Sequence, residues 1–156
     1  MHISIIAVGQ KMPSWVYQSC DDYIKRMPRE IDLHVREIPL GKRGKNPDIE
    51  RIKRDESRAI LDSVPAGAVL VALEVSGKRL TTEQLSVELD GWMREGRDVC
   101  FAIGGPDGFS QELLCAAHWK ISLSDLTFPH PLVRVIIVEQ LYRSWSILKN
   151  HPYHRA

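Results

Sequence analysis

Three stretches of the chain are apolar at nearly every position, and they constrain the fold more than any other feature. They are ISIIAV at 3–8, AVLVALE at 68–74 and DVCFAIG at 98–104. A strand of this kind must be buried on both faces, and amphipathic helical patterns separate the three stretches. The pattern therefore predicts an α/β fold, a parallel sheet covered by helices on both sides. A length of 156 residues suits one domain, which we expect to span 1–156.

Weaker patterns predict the remaining elements. IDLHVREI at 31–38 alternates between apolar and polar residues and predicts a half-exposed strand, and WKISLS at 119–124 predicts a short last strand. Each predicted helix begins at a proline or a capping residue. These residues are Pro13, Pro47 at the first helical position, Thr81 with Gln84, Ser110, and Pro131. The helices are expected to end near Pro28, Gly96 and Lys149.

The composition argues against secretion and against a membrane protein. The first ten residues lack the basic and apolar regions of a signal peptide, and LVRVIIV at 132–138 is interrupted by a charge and too short for a membrane span. Cys20, Cys100 and Cys115 are an odd number without close spacing. We therefore expect reduced thiols, a cytoplasmic location and no membrane partner.

Charge is distributed unevenly along a chain whose formal net charge is only +1. Residues 42–54 hold six basic and two acidic side chains, and residues 130–156 hold four basic and one acidic. The stretch 74–125 has five basic and nine acidic side chains. This asymmetry is typical of a protein whose basic segments meet a polyanion, although two solvated faces would give the same pattern.

Ligands of parallel sheets bind beyond the carboxyl ends of the strands. Three predicted loops leave those ends: one after Leu73-Glu74, one at Gly104-Gly105-Pro106 and one over 123–129. The glycine pair fits either a tight turn or the close approach of a ligand to the backbone. Dinucleotide, P-loop and serine-elbow motifs are missing. His151 and His154 have no third partner, so we expect no metal, and a cofactor held mainly by backbone groups remains.

Four segments resemble one family of RNA-modifying enzymes. They are GKRGKN at 41–46, IGGPDG at 103–108, SLSDLTFPHPLVRVIIVEQLYRSW at 122–145 and NHPYHR at 150–155. Together they resemble the ribosomal RNA large subunit methyltransferase H family of the SPOUT superfamily. The resemblance implies a parallel-sheet SPOUT (α/β-knot) fold with a C-terminal trefoil knot, and a homodimer. It also implies methylation of N3 of a pseudouridine in 23S ribosomal RNA by S-adenosyl-L-methionine. Topology rules alone predict an unknotted sheet.

The resemblance also implies a set of cofactor-binding residues. They are Leu73, Gly104, Gly105, Leu123, Ser124, Asp125, Leu126, Thr127 and Phe128. The apolar members would form the walls of a pocket, and the glycines would expose backbone groups to adenine. Without the resemblance, core packing is the better explanation of each leucine. Asp107 and Asp125 are either balancing charges for the sulfonium or solvated loop acids.

The reaction directs attention to the C-terminal segment. The imide N3 of a pseudouridine is protonated at neutral pH, so methylation needs a base or cationic donors that stabilise the anion. We expect His154 to act as the base, Tyr153 to stack on the target ring and Arg143 to pair with a phosphate or an imide oxygen. A disordered terminus and a solvated arginine are the alternatives.

Two further expectations concern partners. Lys42, Arg43 and Lys45 are predicted to neutralise RNA phosphates, and the low net charge favours the assembled ribosome over naked RNA. The last long helix is apolar nearly all round its first half, which predicts burial against a second subunit. Another SPOUT-type RNA methyltransferase, acting on a different base or a ribose hydroxyl, and a non-catalytic ribosome-binding factor remain as alternatives.

Overall fold

A computed structural model describes residues 1–155. Its strands are β1 (His2–Val8), β2 (Asp32–Ile38), β3 (Val69–Arg79), β4 (Val99–Ile103) and β5 (Trp119–Ser122). Its helices are α1 (Ser14–Arg26), α2 (Ile49–Asp62), α3 (Thr82–Glu95), α4 (Gln111–Ala116) and α5 (His130–Leu148), followed by a 3-10 helix at Pro152–Arg155. Strands and helices therefore alternate along the chain until α5, as the sequence predicts.

The five strands form one sheet in the order β2-β1-β4-β3-β5, and every pair is parallel. Side chains on one face, such as Ile5 and Phe101, pack in a core with residues of α1, α3 and α5. Those on the other face, such as Ile6 and Leu70, pack with residues of α2 and α4. Burial on both faces explains why the central strands are apolar at nearly every position, and it confirms the predicted parallel sheet.

Most of the predicted helix boundaries are confirmed. The Thr81 hydroxyl accepts a hydrogen bond from the Gln84 amide at 3.1 Å, and the Gln84 side chain accepts one from the Thr81 amide at 2.9 Å. Gly96 ends that helix with a left-handed φ of 64°. Pro47 at the first helical position is wrong: α2 begins at Ile49 because Asp48 caps it, accepting a 3.1 Å hydrogen bond from the Arg51 amide.

The prediction of a loop directly after Leu73-Glu74 is also wrong. Strand β3 continues to Arg79, and its pairing with β5 changes register between Leu73 and Lys78. A bulge of this kind bends a strand without ending it, and residue-by-residue patterns do not reveal it. The last strand, in turn, ends at Ser122, two residues before the predicted end.

Gly77 lies in this extension of β3, where it pairs closely with β5. A Cβ atom on Gly77 would come within 2.6 Å of the Lys120 carbonyl carbon and 2.7 Å of the Ile121 nitrogen. Both neighbours are backbone atoms of a paired strand, so they cannot move aside cheaply. The close approach of β3 to β5 therefore requires glycine at this position.

Among the helices of the described chain, none is both long enough and apolar enough to cross a membrane.

We expect Gly77→Ala to destabilise the protein by about 1–3 kcal/mol, the usual cost of overpacking a closely packed site. The matched control is Gly91→Ala in α3, where the added methyl group meets no atom within 4 Å. That substitution should stabilise the protein by about 0.5–1 kcal/mol, because alanine loses less backbone entropy than glycine in a helix. Urea unfolding followed by tryptophan fluorescence measures both changes. Equal effects of the two substitutions would contradict the packing argument.

Candidate functional site

A cavity of about 580 Å³ opens beyond the carboxyl ends of the central strands. Its lining includes Val8 at the end of β1, Gly9 directly after it, Leu73 of β3, and the turn Gly104-Gly105 after β4. The first turn of α5 contributes His130. The position and the volume are those of a small-molecule site in a parallel α/β protein.

Two smaller cavities of about 280 and 90 Å³ share Leu73 and Phe128 with the first. The three cavities are lined by eight of the nine predicted cofactor residues. These eight are Leu73, Gly104, Gly105, Leu123, Ser124, Leu126, Thr127 and Phe128. The fold thus brings together residues that lie up to 55 positions apart in the sequence.

Asp125 is the predicted residue that lines none of the three cavities. Its carboxylate instead accepts hydrogen bonds from Arg79 at 2.8 and 3.0 Å, and both side chains are exposed. Of its two suggested roles, the solvated loop acid therefore describes the side chain better.

The glycine turn, Gly104 to Gly108, has little room for side chains at its first two residues. A Cβ atom on Gly104 would lie 3.2 Å from Phe109 Cε1, and one on Gly105 would lie 2.8 Å from Glu56 Oε1. Gly108 has a left-handed φ of 81°, and its amide donates a 3.0 Å hydrogen bond to the Gly105 carbonyl. These glycines allow the turn to pack tightly, and they would also allow a ligand to approach its backbone.

Sequence reasoning missed a buried network beneath this turn. Arg134 is 1% exposed, and its guanidinium donates hydrogen bonds to the Gly9 carbonyl at 2.7 Å and to Glu37 Oε2 at 2.7 Å. Its third hydrogen bond goes to His130 Nε2 at 3.0 Å. The one available signal is a single arginine inside an otherwise apolar helical run. Such a residue is buried only when its charge and its donors are paired.

His130 connects that network to the glycine turn. Since Nε2 accepts a hydrogen bond from Arg134, the ring proton lies on Nδ1, which donates to the Gly104 carbonyl at 3.1 Å. Burial and the positive charge of Arg134 lower the pKa of His130, while the Gly104 carbonyl and Glu37 act in the opposite direction. The neutral imidazole therefore holds the backbone of the glycine turn.

The predicted catalytic residues form a second group, the C-terminal cluster of Arg143, Tyr153 and His154. The Tyr153 ring packs edge-on against Tyr142, with centroids 4.7 Å apart, and the Arg143 guanidinium lies 4.9 Å from its centroid. His154 Nδ1 is buried and has no hydrogen-bond partner among residues 1–155. The terminal segment is thus folded onto α5 as far as Arg155.

Glu139 organises the C-terminal cluster. It accepts hydrogen bonds from Arg143 at 2.8 Å and from the Tyr153 hydroxyl at 2.9 Å. The Tyr153 hydroxyl also lies 3.2 Å from that of Tyr23 in α1. Burial and these two neighbours raise the pKa of Tyr153, so the phenol stays protonated and serves as a hydrogen-bond donor.

The 580 Å³ cavity and the C-terminal cluster lie towards opposite ends of α5. His130 lines the cavity at the first residue of the helix, and Arg143 follows thirteen residues later. At 1.5 Å per residue this separation is about 20 Å along the helix axis. None of the three predicted catalytic residues lines any of the three cavities, although the second cavity extends along α5 to Gln140.

The basic loop at 41–45 lies beside the glycine turn. Lys42 and Lys45 are exposed. Arg43 is not: its side chain is 20% exposed and donates hydrogen bonds to Asp107 and Glu56, which raise its pKa. Residues 1–155 contain no group of three histidine, cysteine or carboxylate side chains placed to bind a metal ion.

Comparison with known proteins identifies the family to which the chain is similar. Residues 1–154 match the model of the family described as "Predicted SPOUT methyltransferase". The chain is 49% identical to ribosomal RNA large subunit methyltransferase H of Hydrogenovibrio crunogenus, over 99% of each protein. It is 51% identical to the protein of the same name from Hahella chejuensis, again over 99% of each.

The His130 network makes stability depend on pH. Because the pKa of His130 is lowered from its ordinary value of 6.5, the folded state is fully stabilised above pH 6.5. Stability should fall as the pH decreases from 6.5 towards the lowered pKa, since the unfolded chain binds the proton that folded His130 resists. In His130→Asn, whose amide can still donate to Gly104 but does not titrate, the melting temperature should fall less between pH 7.5 and 5.5. Identical pH dependence in both proteins would show that His130 titrates normally.

Proposed function

The chain belongs to the ribosomal RNA large subunit methyltransferase H family of SPOUT methyltransferases, and we propose that it methylates N3 of a pseudouridine in 23S ribosomal RNA. The proposed methyl donor is S-adenosyl-L-methionine. Family membership makes the chain a methyltransferase of large-subunit ribosomal RNA. The observation that supports the cofactor most directly is the meeting of eight implied residues around adjoining cavities.

The residues at the cavity suit this donor. Leu73, Leu123 and Phe128 offer apolar surface, and the glycine turn offers backbone groups that no side chain covers. Backbone N–H and C=O groups of this kind can pair with the edge of an adenine ring. When bound, S-adenosyl-L-methionine supplies an electrophilic methyl group. We propose that His130 and Arg134 hold the turn in place beneath it.

We propose that the enzyme is a homodimer in which the C-terminal cluster of one subunit faces the cofactor cavity of the other. The absence of the C-terminal cluster from the lining of all three cavities supports this arrangement, because the target base must meet both groups. Exposed apolar side chains at the cavities also favour a covering subunit. They are Leu40, 48% exposed, and Val75 and Leu126, each 72% exposed.

In such a composite site, each member of the C-terminal cluster has a separate task. His154 accepts the proton of N3, since histidine exchanges protons near neutral pH. Arg143, oriented by Glu139, stabilises negative charge on the imide oxygens or contacts a phosphate. Tyr153, fixed by Glu139 and by the rings around it, orients the cluster and presents its ring to the RNA base.

We propose the ribosome in the cytoplasm as the natural substrate. Lys42 and Lys45 are exposed beside the glycine turn and can neutralise phosphates near the target base. Two such lysines on a nearly neutral protein give weak attraction to naked RNA, so the shape of the folded ribosomal RNA must supply selectivity. A C-terminal trefoil knot is part of the same proposal, as the fold that the family implies.

Incubation of the enzyme and labelled S-adenosyl-L-methionine with ribosomes that lack this methyl group tests the activity. We expect label in 23S ribosomal RNA, located by mass spectrometry on N3 of one pseudouridine, and less label on free RNA. A methyl group on another base or on a ribose hydroxyl would contradict the proposed specificity. Absence of cofactor binding in calorimetry would contradict the enzymatic function itself.

The composite site makes a second prediction. Gly104→Val, which distorts the cofactor turn, and His154→Ala, which removes the proposed base, should each be nearly inactive. When the two variants are coexpressed, half of the dimers are mixed and each mixed dimer has one intact site, so activity should recover to about a quarter of the wild-type value. Mixed dimers are isolated by two different affinity tags. Mixed dimers without activity would contradict the proposal, as would a monomeric wild type in sedimentation.

A further inference from the structure

Arg43 joins three separate parts of the chain. Its guanidinium donates hydrogen bonds to Asp107 Oδ2 in the glycine turn at 3.0 Å and to both carboxylate oxygens of Glu56 in α2 at 3.2 Å. It also donates to the carbonyl of Gly41 in its own loop at 2.9 Å. One planar cation thus holds the basic loop, α2 and the glycine turn in a single arrangement.

Glu56 is the buried carboxylate that holds Arg43 in this arrangement. Its side chain is only 3% exposed, and it accepts a further hydrogen bond from the Gly41 amide at 2.8 Å. Its other oxygen, Oε1, would be only 2.8 Å from a Cβ atom on residue 105, so glycine is needed there. A buried carboxylate needs a partner of opposite charge, and Arg43 is the cation that the described structure pairs with it.

The carboxylates of this group more than offset the charge of Arg43. Arg43 carries one positive charge and contacts two carboxylates, Glu56 and Asp107. A phosphate placed on the same guanidinium would meet both of them at close range. Lys42 and Lys45 on either side are exposed, and neither forms an ion pair with a carboxylate among residues 1–155. The loop therefore contains two kinds of cation, one directed inwards and two directed towards solvent.

We propose that Arg43 is a positioning residue, which fixes the glycine turn of the cofactor cavity and the basic loop in one geometry, and that it does not bind RNA phosphate. This inference rests on the proposed function, because the turn is taken to hold S-adenosyl-L-methionine. It replaces the expectation that Arg43 acts together with the two lysines. Its consequence is that the RNA-contacting lysines are held at a fixed position relative to the cofactor cavity.

Two measurements separate a positioning residue from a phosphate contact. The first is the affinity for S-adenosyl-L-homocysteine, measured by calorimetry. The second is the salt dependence of ribosome binding, whose logarithmic slope falls by about one for each phosphate contact that is lost. A hydrogen-exchange measurement on the ligand-free protein adds a third readout, since the Gly108 amide donates to Gly105 within the turn.

Arg43→Gln should weaken S-adenosyl-L-homocysteine binding by about tenfold, as the loss of a charged hydrogen bond predicts, and should leave the salt slope unchanged. Amides of residues 104–108 should exchange faster. Asp107→Ala removes only the contact with the turn and should have the same effects, and it keeps the test decisive if Arg43→Gln does not fold. Arg43→Lys, which keeps the charge but loses the planar fork, should fall between the wild type and Arg43→Gln.

Two control variants calibrate these readouts. Lys42→Gln should lower the salt slope by about one and leave cofactor affinity and hydrogen exchange unchanged. Arg58→Gln breaks the exposed 2.7 Å ion pair between α2 and α4, which does not reach the turn, and should change none of the three. A lower salt slope in Arg43→Gln, with normal cofactor affinity and normal exchange, would overturn the proposal. If the wild type binds no cofactor, the proposed function fails, and the exchange rates still decide whether Arg43 positions the turn.

Discussion

The buried guanidinium of Arg134 is the contact on which the site depends. It lies 1% exposed inside a long apolar helix and connects that helix to the end of β1, to Glu37 of β2 and to His130. His130 in turn holds the Gly104 carbonyl after β4. Burying such a charge is costly unless it is paired, so its three hydrogen bonds fix where the strand ends lie relative to α5. The shape of the cavity follows from that geometry.

Two polar networks thus surround the glycine turn from opposite sides. Arg134 and His130 reach it from α5, and Arg43 and Glu56 reach it from the basic loop and α2. Both use an arginine whose donors are directed inwards at backbone carbonyls and carboxylates. A turn made of glycines has little stiffness of its own, and these contacts supply it. The absence of the C-terminal cluster from the cavities beside this turn supports the proposed dimer.

Sequence patterns predicted the parts of the fold that local rules control. The apolar runs at β1 and β4, the capping box at Thr81 and the left-handed end at Gly96 each depend on a few neighbouring residues, and each is confirmed. The extension of β3 to Arg79 depends on pairing with a strand more than 40 residues away, so no local pattern reveals it. The start of α2 was also mispredicted, because the hydrogen bond from the Arg51 amide to Asp48 caps the helix there and not at Pro47.

The candidate site divides in the same way. The family resemblance supplied eight residues that the fold gathers around the cavities, although none of them has a signal that separates it from a core residue or a turn. The inward direction of Arg43 and the burial of Arg134 could not be predicted, because both depend on carboxylates distant in the sequence, at Glu56 and Glu37. A charge in a basic segment indicates a surface contact until its partners are known.

We propose that the irregular part of β3 at Leu73 and the turns beyond β4 and β5 together hold the methyl donor. A crystal structure of the protein with S-adenosyl-L-homocysteine tests it most directly. The account predicts electron density for the ligand between the Gly104-Gly105 turn and residues 123–128, with adenine against backbone groups. Density for the ligand at any other place, or a protein that binds none at millimolar concentration, would contradict it.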